Sequence, residues 1–112
     1  MNEPQLDTIY RGDTRVITVV VVDGDNSPID ITGQDITLTI AKYRQGLPII
    51  EITNSTHFDG AGGISKFLLS ADDTELLNIG LNHIDVVKDN AGIVNTLFLG
   101  TVRVENRVAV PE

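Results

Sequence analysis

The chain has 112 residues with 16 acidic and 8 basic side chains, a formal net charge of −8, no Cys and no Trp. That length makes one domain with a single core; the charge argues against nucleic acid or an anionic membrane as partner, and the missing Cys removes disulfides and thiolate metal sites. No basic-then-apolar leader and no apolar run of roughly 20 residues is present, so a protein made and used without Sec export is expected.

Residues 1–5 form a leading arm, and Leu6 to Tyr10 reads as a short strand. Arg11-Gly12-Asp13 matches an integrin-binding tripeptide, yet Gly and Asp before a strand are ordinary turn formers, and a turn is expected. Thr14 to Val22 holds five Val, one Ile and two Thr, whose branched β-carbons favour a pleated, packed strand. Period two places Val16, Thr18, Val20 and Val22 on one face and Arg15, Ile17, Val19 and Val21 on the other. Both faces are mostly apolar, which predicts a central strand covered twice.

Asp23 to Pro28 is a dense cluster of turn formers. Its oxygens suggest calcium, but the spaced ligands and terminal Glu of a calcium loop are missing, so a hairpin loop without metal is expected. Ile29 to Gly33 leads into Gln34–Tyr43, where Ile36, Leu38 and Ile40 alternate with outward threonines and belong in the core. After a polar connection, Ile49 to Thr53 is a strand whose preceding Pro48 suits a sheet edge. Asn54-Ser55-Thr56 fits a glycosylation sequon without a secretory signal, and His57 beside Phe58 is expected to pack rather than ligate. Asp59 to Gly63 resembles a phosphate-cradling loop, but no helix follows and the spacing is wrong, so it becomes a turn before the strand Ile64–Leu69.

Ser70 to Gly80 predicts the one helix, of about three turns, with Ser70 as N-cap, Asp72, Asp73 and Glu75 near the positive dipole end, and Gly80 as the stop. Leu76, Leu77 and Ile79 would lay it on a sheet. Leu81 to Lys88 is again strand, Asp89 to Gly92 a four-residue hairpin turn, and the last strand runs from Ile93 to Glu105. That strand is apolar on both parities, which requires either a bulge at Gly100 or cover on both sides. Residues 106–112 form a closing arm. Ile17, Val19 and Val21, with Ile93, Leu97 and Leu99, each lie opposite a face assigned to the core and are the candidate interface residues.

The frame Arg11-Gly12-Asp13-Thr14, Ile29-Asp30-Ile31-Thr32-Gly33, Leu69-Ser70-Ala71-Asp72-Asp73-Thr74, Ile84-Asp85-Val86 and Thr96-Leu97-Phe98-Leu99-Gly100-Thr101-Val102 resembles the immunoglobulin-like β-sandwich domain of bacteriophage tail and baseplate proteins. It is most similar to the N-terminal domain of the phage baseplate upper protein, from about Thr8 to Val104. The resemblance implies an antiparallel sandwich of about seven strands with one crossover helix. It further implies a virion module that docks on other virion proteins, in a particle assembled in the bacterial host cytoplasm; the apolar strand faces left over from the core add the expectation of a homo-oligomer or a docked subunit. The family continues into a coiled coil or fibre, whereas this sequence stops at Glu112, so a capsid decoration or head accessory protein is the alternative. A receptor- or carbohydrate-binding sandwich is another, although only Tyr10, Tyr43, Phe58, Phe67 and Phe98 are aromatic. There is no nucleophile elbow and no metal-binding His pair, so neither an enzyme nor a cofactor is expected.

Overall fold

The structure is a computed structural model that describes residues 5–43 and 46–106. The arms expected at residues 1–5 and 106–112 lie almost wholly outside the described residues. In chain order the elements are β1 (Gln5–Tyr10), β2 (Arg15–Val20), β3 (Asp35–Ala41), β4 (Pro48–Asn54), β5 (Ile64–Leu69), α1 (Ala71–Glu75), β6 (Gly80–Asn90) and β7 (Ile93–Glu105). They form a β-sandwich: a five-stranded sheet ordered β1-β7-β6-β3-β4 faces a two-stranded sheet of β2 and β5. All pairings are antiparallel except β1 with β7.

The alternation of β3 sends Ile36, Leu38 and Ile40 inward, all fully buried beside Ile84, Val86, Val102 and Val104 of the same sheet and Phe67 and Leu69 from β5. The threonines face out as expected, with Thr37 and Thr53 hydroxyls hydrogen-bonded across the β3–β4 pair at 2.8 Å. Pro48 starts β4 at the sheet edge, where its missing N–H disturbs no ladder.

The Val-rich stretch is not central. As β2 it pairs only with β5, and its odd-numbered side chains face the core while Val16, Thr18 and Val20 stay exposed. Two strands cannot be sandwiched again without a further layer, so the second apolar face of this strand has no cover among the described residues.

The helix is shorter than expected. Ser70 and Asp73 form a reciprocal capping box, Ser70 Oγ accepting from Asp73 N at 3.1 Å and Asp73 Oδ2 accepting from Ser70 N at 2.9 Å. It ends after Glu75, with Leu76 as C-cap and 63% exposed, while Leu77 alone enters the core. The reason lies in the next strand: β6 begins at Gly80, whose φ of +104° turns the chain before two further turns could form.

The Arg-Gly-Asp turn is clamped on this helix. Arg11 Nη2 donates to the Glu75 carbonyl at 2.8 Å, and the buried Thr74 hydroxyl accepts from Gly12 N at 3.0 Å and lies 2.8 Å from the Asp13 carbonyl. The guanidinium thereby satisfies a carbonyl that the helix end leaves open.

The β6–β7 hairpin is tighter than a four-residue turn. Asn90 pairs with Ile93, and Ala91 and Gly92 make the connection with φ of 52° and 89°, a pair of positive values that matches the twist of the flanking strands. A bulge does exchange the faces of β7, but at Leu97: Val86 pairs with Phe98 and Val87 with Thr96, so Leu97 is the extra residue. Gly100 stays in register opposite Ile84.

Candidate functional site

The six interface residues read from the sequence do not form one surface. Val21 is buried in the core, and Ile17 and Val19 pack against it, so the β2 face assigned to a partner is the inner one. Ile17, Val19 and Val21 share one parity as expected, but it is the inward one, because a strand apolar on both faces carries no internal sign of which face the opposing sheet covers. The exposed face instead carries Val16 (50% exposed), Val20 (55%) and, opposite Val16 on β5, Leu68 (60%). Lys66 on that face holds its ammonium 3.8 Å from the centre of the exposed Phe58 ring. On β7, Ile93 is exposed at 65%, and Leu97 and Leu99 are partly buried on opposite sides of the sheet.

The two sheets are joined unequally at their sides. At one side Asn54 of β4 donates to Ser65 Oγ at 3.1 Å and to the Lys66 carbonyl at 2.8 Å, closing β4 onto β5. At the other, Arg15 of β2 reaches the Thr8 carbonyl of β1 at 3.0 Å, but β1 accompanies β7 only along Thr101–Glu105. Beside the rest of β7 the sandwich gapes into an apolar slot of about 200 Å³, lined by Leu6, Ile17, Val19, Val86, Leu97 and Phe98.

A second cavity, of about 250 Å³, sits on the outer face of the large sheet under the β3–β4 connection, lined by Thr39, Tyr43, His83, Asp85 and Leu99. His83 Nδ1 is buried there without a hydrogen-bond partner among the described residues. Burial, with the Glu51 carboxylate adding to it, pushes the Asp85 carboxyl above the usual range. A carboxyl raised in the folded state costs stability as pH climbs from its unfolded to its folded value, because the folded chain holds the proton longer. Asp85→Asn should therefore raise the melting temperature at pH 7, and the gain should vanish as pH falls through the ordinary carboxylate range. Thermal melts of both proteins across that range check it, and a lower melting temperature for the variant at pH 7 would refute the assignment.

The other polar motifs are consumed by structure. Asp23 Oδ1 accepts from Asp25 N at 2.8 Å and from Ser27 N at 3.1 Å, folding its own loop. Asp30 does the same for Thr32, whose hydroxyl and amide hold that carboxyl below its usual range. His57 ties β5 to the segment just before β3, with Nδ1 2.9 Å from Ser65 Oγ and Nε2 2.7 Å from the Gln34 carbonyl. Among the described residues no group of three or more His, Asp or Glu side chains comes together as a metal site, and no helix is long and apolar enough to cross a membrane.

No protein-family model matches the chain, and no curated protein matches it. Among solved structures, the N-terminal domain of phage TP901-1 ORF48 is similar with a TM-score of 0.56 and 18% sequence identity, covering 91% of this chain and 83% of that one. Identity that low speaks for fold, and the shared fold spans the strands whose turn motifs carried the phage resemblance. Seven strands in two sheets with a short capped helix after β5 thus make this chain a β-sandwich of the kind seen in the N-terminal domain of phage TP901-1 ORF48.

Proposed function

We propose that this chain is a non-enzymatic structural module of a bacteriophage virion, a tail or baseplate component that acts through protein–protein contacts. The observation that carries the proposal is the fold shared over 91% of the chain with a phage domain. Fold alone is an associative warrant. The surfaces add a physical one, because half-exposed Val16, Val20 and Leu68 and an open slot between the sheets are features that a partner covers. An acidic chain of net charge −8 suits docking on protein rather than on nucleic acid or an anionic bilayer.

The test is compositional. In purified particles of the phage that encodes it, the chain should be found by quantitative mass spectrometry at a fixed copy number, and should follow the tails when heads and tails are separated. Recovery with the heads would favour the capsid decoration reading instead. Absence from purified particles would end both.

A further inference from the structure

Among the described residues one side of β7 is unpaired over most of its length. β6 covers one edge from Ile93 to Val104, but on the other the first described residue of β1, Gln5, lies opposite Thr101, so no described strand lies beside the Ile93–Leu99 edge. Natural sheets blunt such edges with Lys, Pro or inward charges. This one does not: Ile93-Val94-Asn95-Thr96-Leu97-Phe98-Leu99 has no charged residue and no Pro, in a chain that is 21% charged. Beside it lies the slot of about 200 Å³ walled by Leu6, Ile17, Val19, Leu97 and Phe98. That volume is below the roughly 300–1,000 Å³ of small-molecule pockets and fits side chains better. Unpaired backbone groups next to side-chain-sized apolar space are what an added strand satisfies, its main chain meeting the edge and every second side chain entering the slot.

We propose that the Ile93–Leu99 edge receives an extended segment of another protein, neutral or basic, with apolar residues at alternate positions. Charge selects a foreign segment over a second copy. Two copies of net charge −8 repel. The proposal deepens the docking reading by naming the mode of contact, and it is tested separately from it.

The probe is the peptide acetyl-Lys-Val-Thr-Val-Lys-Val-Thr-Val-amide, added in millimolar excess to the full chain labelled with ¹⁵N. Amide hydrogen exchange within residues 93–99 should slow by about tenfold or more, with the rest of the spectrum little changed. A peptide of the same composition with its Val residues contiguous should not do this. Thr96→Lys, at an exposed edge position, should weaken the effect by about tenfold, and Leu97→Lys should do the same from the slot side. No slowing at residues 93–99, or slowing that maps to the outer face of β2 and β5, would overturn the proposal. So would edge amides already protected in the protein alone, whether light scattering then reports a dimer or removal of residues 1–4 abolishes the protection. A chain present in virions that takes no strand sinks only this inference, and a chain that takes the strand but is absent from virions sinks only the virion reading.

Discussion

Phe67→Ala is expected to destabilise the fold by ~3–5 kcal/mol, a large share of the ~5–15 kcal/mol that holds a small domain together. Phe67 is fully buried and is the largest side chain that the two-stranded sheet sends into the core. Two strands alone are not independently stable in water, so β2 and β5 persist because Phe67, Leu69, Ile17 and Val19 anchor them on the large sheet. Removing the ring leaves a cavity in a close-packed core rich in stiff β-branched side chains, which do not collapse into it. The adjacent residue supplies the control: Leu68→Ala, on the 60% exposed outer face, should cost under ~1 kcal/mol. Denaturant unfolding of the three proteins decides the matter, and equal midpoints for the two variants would refute the assignment of faces on β5.

Gly63→Ala is expected to cost ~2–4 kcal/mol although it removes nothing. Gly63 has a φ of +74°, and a β-carbon there would stand 2.6 Å from the Val21 carbonyl oxygen and 2.7 Å from that of Ile29. Both obstacles are backbone atoms in a hydrogen-bonded crossing, with Val21 N donating to Gly63 O at 2.8 Å and Ile29 N donating to Val21 O at 3.0 Å, so neither yields cheaply. Gly24→Ala is the contrast, since nothing lies within 4 Å of the added carbon. Unfolding midpoints, with hydrogen exchange at Val21 and Ile29, measure both effects; a Gly63→Ala protein as stable as Gly24→Ala would show that the crossing is loose.

Much of this was legible in local pattern. The alternation of Ile36, Leu38 and Ile40 requires a half-buried strand wherever the chain runs, because a one-residue slip would bury the threonines instead. Ser70 and Asp73 announce a helix start through hydrogen bonds between residues three apart, and Asp23 closes its own loop in the same local way. Helix length was less legible. Leu76, Leu77 and Ile79 have the spacing of a longer amphipathic face, but the path to β6 leaves only Leu77 a place in the core.

What the sequence determined by itself is therefore what nearest neighbours along the chain can specify: strands, turns, one cap, the parity of each strand and a charge that points away from polyanions. Which parity faces inward on β2 and where β7 changes faces depended on partners distant in sequence. Val16 and Ile17 are both apolar, and only the packing of the β2–β5 pair on the large sheet turns one to solvent and the other to the core. The pairing of β1 with β7 belongs to the same category. Its parallel register, with Leu6 opposite Val102 and Ile9 opposite Val104, brings Ile9 and Val104 together in the assembled core and is written in no local run of residues.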